Sequence, residues 1–206
     1  MQVAMIGSGS VGRALGRRLV QGGHGVTFTA AHLENAEAAA SEVGAAAAAT
    51  NADAARGAEV VILAIPFSAG EAVAHEIALH VRGKVVIDVT NPVRPDLSGT
   101  VTEPRSAAEV FQAWLPDAHV VKAFNTAFAS RMAQPETDTG RLDGYVAGDD
   151  GEAKATAMAI VDAVGLEPLD VGPLSRARQL EGLALLNIGL QIANGWNWTS
   201  GWRLVR

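Results

Sequence analysis

The chain contains no cysteine. Disulfide scaffolding, thiolate nucleophiles and cysteine-ligated metals are thereby excluded together, so no metal site is expected. Compartment is left open by this, and a cytoplasmic location conflicts with nothing in the sequence. Basic residues are outnumbered, 16 Lys and Arg against 22 Asp and Glu. A net charge of −6 and a pI near 5.3 argue against a nucleic-acid partner, whose phosphates call for a basic surface. Long apolar runs are missing too. Val60 to Ile65 is strand-sized, and the long late helix carries Asn187, Gln191 and Asn194. Nothing approaches the roughly 20 residues of a membrane span, so no membrane partner is expected. Residues 1–6 lack the basic stretch and apolar core of a secretion leader and read as a first strand.

What is present is aliphatic. The 206 residues are 49% apolar and 18% charged, the profile of one compact unit with a real core. Strand-length apolar runs alternate with Ala-rich helical stretches, the sequence form of repeated βαβ units. The runs are Val3 to Ile6, Val26 to Thr29, a weak Ala45 to Ala48, Val60 to Ala64, Val85 to Val89 and Val120 to Phe124. Helices are predicted over Val11 to Gln21, His32 to Val43, Ala52 to Gly57, Ala69 to His80 and Ser106 to Trp114. After a looser stretch, strands at Gly144 to Ala147 and Glu167 to Val171 flank a helix at Asp150 to Val164. Ser175 is expected to cap a final helix to about Asn194, with Leu180, Leu183, Leu186, Ile188 and Leu190 as its apolar surface. The expected fold class is α/β: a Rossmann-like, doubly wound, mostly parallel sheet with a C-terminal helical segment. Residues 1–126 form the dinucleotide-binding core, and 127–206 complete the sheet and the substrate pocket within the same unit.

Gly7, Ser8, Gly9, Ser10, Val11 and Gly12 spell G-x-G-x-x-G directly after the first strand and at the opening of the first helix. Gly7 serves the tight turn, Gly9 the approach of a pyrophosphate, and Gly12 close packing of helix on strand. The helix N-terminus adds free N–H groups and partial positive charge. At the end of the second strand, an acid would select NAD and an arginine NADP. Here Thr29, Ala30, Ala31 and His32 offer neither. NADP is favoured only because nothing repels its phosphate, NAD is not excluded, and Thr29 or His32 is available to contact a phosphate.

An acid/base pair is hard to find. The single tyrosine, Tyr145, has Asp149 rather than lysine four residues later. Of three lysines, Lys84 opens a strand and Lys154 sits on a helix, so both read as solvated charge. Ligands of open α/β sheets lie beyond the carboxyl ends of the strands, which gathers Ile65, Pro66, Thr90, Asn91, Pro92, Asn125 and Thr126 around one crevice.

The fingerprint, Ile65-Pro66-Phe67, Asp88-Val89-Thr90-Asn91-Pro92, Val121 to Thr126, Ala147-Gly148-Asp149-Asp150 and Gly172-Pro173-Leu174-Ser175 resemble, in order and over nearly the whole chain, the coenzyme F420-dependent NADP oxidoreductase family. The resemblance implies NADP on the glycine loop and hydride passage to the 8-hydroxy-5-deazaflavin ring of coenzyme F420, a small-molecule redox partner. Such transfer needs proximity and water exclusion more than a proton donor. Asn125 and Thr126 are then positioning residues. Two departures stand out: Ala30-Ala31 replaces a Ser-Arg pair, and Asn125 replaces a His before Thr126. Another acceptor, such as a flavin or a small carbonyl compound, and a non-catalytic NADP sensor stay open as alternatives.

From Pro173 onward four arginines (Arg176, Arg178, Arg203, Arg206) face one glutamate (Glu181), a net of +3, which leaves −9 on the preceding residues of a −6 chain. Trp196, Trp198 and Trp202 lie in the same tail. Aromatic faces with arginines suit a planar ring with an anionic tail, or they dock the tail on the core or on a second subunit. A homodimer is expected from the family resemblance and this tail.

Overall fold

The computed structural model describes residues 1–138 and 140–205. In β1 (Gln2–Ile6), Val3 and Met5 join one apolar layer while Ala4 and Ile6 join another. The alternation recurs in β4 (Val60–Leu63), whose Val60 and Ile62 face the first layer and Val61 and Leu63 the second. Strands that are apolar on both faces need helices on both sides, and that dictates a doubly wound sheet.

The helices divide accordingly. Covering the first layer are α1 (Ser10–Gln21), which leads to β2 (Gly25–Thr29), and α2 (Leu33–Val43), which leads to the stub β3 (Ala46–Ala47). The second layer is covered by α3 (Asn51–Gly57), α4 (Gly70–Ile77) before β5 (Val85–Asp88), and α5 (Ala107–Trp114) before β6 (His119–Lys122). A short helix α6 (Ala129–Ala133) and the hairpin β7 (Glu136–Thr137) and β8 (Gly140–Arg141) follow. Then come β9 (Asp143–Gly148), α7 (Gly151–Val164) back on the first layer, β10 (Glu167–Gly172) and α8 (Ala177–Asn194).

The eight-stranded sheet runs β10-β9-β6-β5-β4-β1-β2-β3. Every neighbouring pair is parallel except β6 with β9. Residues after 126 thus extend the same sheet. Caps close the helices as chemistry demands: Asp150 accepts from the Ala153 N–H at 2.8 Å, and Ser106 and Glu109 form a reciprocal capping box.

Four elements differ from expectation. The helix predicted over 69–80 is broken into a 3₁₀ turn at Phe67–Ala69, α4 and a second turn at Ala78–His80. Gly70 starts α4 because a Cβ there would meet the Phe111 ring at 2.7 Å. β3 is only two residues long, as befits poor strand formers. Ser175 does not cap α8: it lies inside a 3₁₀ turn, Leu174–Arg176, that runs straight into the helix, and Asp149 Oδ1 accepts from the Leu174 N–H instead. Finally, α8 turns its polar residues inward. Leu180 is buried, but so are Glu181, Asn187 and Gln191, while Leu186 is 54% exposed. The helix is not laid on the core by its leucines; its inner face lines a site.

Candidate functional site

The register places Ile6 beside Leu63, Leu63 beside Asp88 and Asp88 beside Lys122, so the carboxyl ends of four central strands finish level. β1 lies between β2 and β4, and chain direction across the sheet reverses there, which opens a crevice. Gly7 occupies it with φ +114, and a Cβ on Gly7 would lie 2.1 Å from the Ala64 carbonyl oxygen. A Cβ on Gly12 would lie 2.1 Å from the Gly7 carbonyl. Both glycines are demanded by backbone crowding. Gly9 is different, for its Cβ would meet nothing within 4 Å. The space in front of it is open, which is what a diphosphate approaching the backbone needs, and α1 begins there without a side-chain cap or an acidic residue in its first turn.

Two cavities meet across this loop. The first, about 380 Å³, is lined by Gly7, Ser8 and Gly9, by Ala30 and Ala31 after β2, by Ile65 and Pro66 after β4, and by Asn35 and Asn51. None of its lining residues is charged. Thr29 is buried behind it, its hydroxyl donating to Asn51 Oδ1 at 2.6 Å. Asn51 donates in turn to Glu76 Oε2 at 2.7 Å, so its amide is held from both ends. His32 is exposed ahead of α2 and lines neither cavity.

The second cavity, about 520 Å³, takes Ser10 and Val11 from the loop, Asn91 after β5, and Asn125 and Thr126 after β6. Phe124, Phe128, Met132, Ile188 and Trp198 make its walls apolar, with Asn187 of α8 among them. Phe124 and Trp198 are two of the three described non-glycine residues with positive φ, +65 and +61. Phe124 is buried directly before Asn125, so local backbone strain is spent on turning the chain into the site. Trp198 packs edge-on to Phe128, ring centroids 5.2 Å apart, and its carbonyl accepts from Ser130 Oγ. Thr90, Pro92 and Gly12, all expected around the site, are buried and line neither cavity.

Beneath the second cavity lies a charged cluster that the sequence reading missed. Lys122 Nζ donates to Asp88 Oδ2 at 2.8 Å, to Glu181 Oε1 at 2.8 Å and to the Thr90 carbonyl at 2.6 Å. All three side chains are buried. Burial pushes the Glu181 carboxyl above the ordinary carboxylate range, against the pull of the Lys122 cation. Above the cluster, Asn125 Nδ2 donates to Asn91 Oδ1 at 3.0 Å and to the Leu180 carbonyl at 3.0 Å, while Asn91 Nδ2 donates to the Asn125 carbonyl at 2.8 Å. The strand ends and α8 are thereby locked together. The in-register positions 88 and 122 were the available signal: opposite charges on adjacent buried strands.

Other charges fall elsewhere. Lys84 and Lys154, read as solvated, are both engaged: Lys84 Nζ donates to the Ala55 carbonyl at 2.8 Å, at the end of α3, and Lys154 pairs with Asp170 at 2.9 Å. Of the tail, Trp198 reaches the second cavity, but no described arginine lines either cavity. Arg178 pairs with Glu109, Trp202 docks the tail by accepting from the Asp143 N–H at 3.0 Å, and Arg206 lies outside the described residues. Among the described residues there is no cluster of three or more His, Cys, Asp or Glu able to hold a metal, and no helix long and apolar enough to cross a membrane.

Known proteins resemble this chain in sequence and fold. A family model, NADP oxidoreductase, coenzyme F420-dependent, matches residues 2–92. An F420-dependent NADP reductase from Methanothermobacter marburgensis is 33% identical over 94% of this chain and 94% of its own. Rat metalloreductase STEAP3 is 30% identical over 89% of this chain, which corresponds to 36% of that longer protein. A crystal structure from Arthrobacter sp. FB24, provisionally described as an F420-dependent NADP-reductase, superposes with a TM-score of 0.88 at 28% identity and 99% coverage of both chains.

Proposed function

Because the chain belongs to the coenzyme F420-dependent NADP oxidoreductase family and is an NADP-dependent oxidoreductase, we propose that it passes a hydride between NADP(H) and the deazaflavin ring of coenzyme F420. The observation that carries this reading is the pair of cavities flanking the glycine loop, uncharged on one side and apolar on the other. Gly7, Ser8, Gly9, Ser10, Val11 and Gly12 bear the diphosphate, the first five by contact and Gly12 by seating the helix. Ala30, Ala31, Ile65 and Pro66 hold the adenosine half in the 380 Å³ cavity, with Thr29 bracing Asn51 from behind its wall. Asn91, Asn125 and Thr126 position the rings in the other, and Thr90 and Pro92 shape the turn that carries Asn91. Bound together, the nicotinamide and the deazaflavin supply hydride donor and acceptor.

The chain's own residues then have three tasks. Phe124, Phe128, Met132 and Trp198 exclude water from the ring cavity, which protects a transferring hydride from side reactions. The Asn91–Asn125 pair, anchored through Leu180 to α8, holds the ring plane. The glycine loop fixes the cofactor's long axis, so proximity and orientation replace acid/base catalysis. Residues 1–126 act as the dinucleotide core, and 127–206 supply α8 and Trp198 to close the ring site.

A neutral first cavity, with Ala30 and Ala31 where a phosphate clamp would stand, supports use of NADH beside NADPH. Anaerobic absorbance assays with oxidised coenzyme F420 test both points: the reading expects nicotinamide oxidation only when F420 is present. Oxidation by flavins or small carbonyl compounds instead, or nucleotide binding with no transfer to any acceptor, refutes it. A two-fold pair of chains also belongs to the proposal. The outer face of α8 carries no charge from Gly182 to Asn194 and sets small residues, Gly182, Gly189 and Ala193, around exposed Leu186. A second copy of the same helix matches such a face, and light scattering reads the mass directly.

A further inference from the structure

Two buried polar atoms on the wall of the 520 Å³ cavity have no hydrogen-bond partner: Asn125 Oδ1 and Asn187 Nδ2. Their residues are 4% and 3% exposed, one at the end of β6 and the other in the middle of α8. One atom is an acceptor and the other a donor. Buried amide atoms are nearly always paired in folded proteins, so two orphans of opposite type in one cavity call for an explanation.

The assignment of each atom is dictated by backbone groups. Asn125 Nδ2 is the amide end that donates to the Leu180 carbonyl, which leaves Oδ1 facing away. Asn187 is oriented by a relay that starts at a main-chain N–H. Trp198 N donates to Gln191 Oε1 at 2.8 Å, so Gln191 presents Nε2 to Ser200 Oγ at 2.7 Å. Ser200 Oγ therefore gives its own proton to Asn187 Oδ1. Asn187 Nδ2 remains as the free donor. Two side chains, Gln191 and Ser200, and the main-chain N–H of Trp198 are thus committed to holding the Asn187 amide in place.

We propose that Asn187 Nδ2 and Asn125 Oδ1 together read an amide edge of a planar ligand: a ligand carbonyl accepts from Asn187, and the neighbouring ligand N–H donates to Asn125. The inference deepens the hydride-transfer reading and rests on it. Among the reactants of that reading two groups carry such an edge: the carboxamide of the nicotinamide and the pyrimidinedione of a deazaflavin. The pair gives the cavity a means of selecting a ring of this kind over an apolar ring of equal size. It also gives Ser200, Gln191 and Trp198 a function in specificity, as positioning groups behind Asn187.

The test varies the ligand first, so that it needs no variant to fold. Binding to wild-type protein is measured by quenching of tryptophan fluorescence for two matched pairs. NADPH is compared with its 3-acetylpyridine analogue, which keeps the carbonyl and lacks the N–H. 5-Deazariboflavin is compared with its N3-methyl derivative. The expected result is a loss of about tenfold in affinity for the blocked member of one pair, the value of one hydrogen bond to a buried acceptor. The pair that responds identifies which ring occupies the site. Asn187→Leu is expected to weaken the parent of that same pair by a similar factor and to leave the other parent within about twofold. If both blocked analogues bind as well as their parents, the proposal is overturned while the hydride-transfer reading stands. If wild-type protein binds neither parent, both fall together.

Discussion

Replacing Lys122 by methionine is the perturbation for which the structure makes the largest claim. The side chain is buried and its ammonium meets two carboxylates, Asp88 and Glu181, at 2.8 Å each, together with the Thr90 carbonyl at 2.6 Å. Methionine fills similar space but leaves both carboxylates without a cation. Removing one partner of a buried ion pair costs about 3–5 kcal/mol. For a domain of this size that corresponds to a fall in Tm of roughly 6–20 °C. The pH dependence follows from Glu181, whose carboxyl is already raised by burial and held in check by Lys122. A carboxyl raised in the folded state contributes its stability when protonated and loses it as pH rises through the folded value. Without Lys122 that loss deepens, so K122M lies furthest below wild type at neutral pH and closest near pH 4, where the unfolded carboxyl also binds its proton. Glu181→Gln in the same background removes one orphaned charge and is expected to restore about 1–3 kcal/mol. Urea unfolding followed by tryptophan fluorescence at pH 7 and pH 4.5 reads all of this. A K122M deficit below about 1 kcal/mol at pH 7, or no recovery on adding E181Q, would refute the view that the cluster locks the strand ends to α8.

The glycines of the fingerprint separate folding from binding. Gly9→Ala meets open space and is expected to leave Tm unchanged while weakening NADPH binding at least tenfold, whereas Gly12→Ala drives a Cβ to 2.1 Å from the Gly7 carbonyl and lowers stability as well. Calorimetry and nucleotide titration on both variants check this, and equal loss of stability in the two would contradict it. Glu109 is held at about 2 by the Arg178 guanidinium, with the Ser106 backbone N–H and hydroxyl assisting. Its folded value lies below the unfolded one, so the stabilisation is full above about pH 4.5 and vanishes as pH falls towards 2. Arg178 is nearly half exposed and solvent screens the pair, so Glu109→Gln is expected to cost about 1 kcal/mol at pH 7, cap included, and to converge with wild type near pH 2. A constant deficit across that range in urea titrations would contradict the assignment.

Much of this architecture was legible in the sequence because its determinants are local. Val3 to Ile6, Val60 to Leu63 and their neighbours are apolar at every position, which only a doubly covered sheet accommodates. Gly7 and Gly12 are three-dimensional necessities written as adjacent letters. Asn91 and Asn125 followed from the rule that ligands gather at strand ends, and the structure joins them by direct hydrogen bonds. What escaped depends on distant residues. Lys122 takes its character from Asp88, 34 positions away, and from Glu181, 59 positions away. Asn187 and Gln191 look like polar interruptions of a leucine-rich helix until Trp198 and Ser200 return to meet them. The cap expected of Ser175 failed for a similar reason, since Asp149 from another element already serves the chain there.

The most direct test of the central claim follows the hydrogen itself. NADPH deuterated at C4 of the nicotinamide, on either face in separate runs, is incubated anaerobically with the protein and oxidised coenzyme F420, and the reduced deazaflavin is analysed by mass spectrometry. Direct transfer between rings held in the Asn91–Asn125 cavity predicts that one of the two labelled nucleotides delivers its deuterium to the deazaflavin and the other delivers none. Reduced deazaflavin that carries only solvent hydrogen in both runs, or no reduction at all, would contradict it.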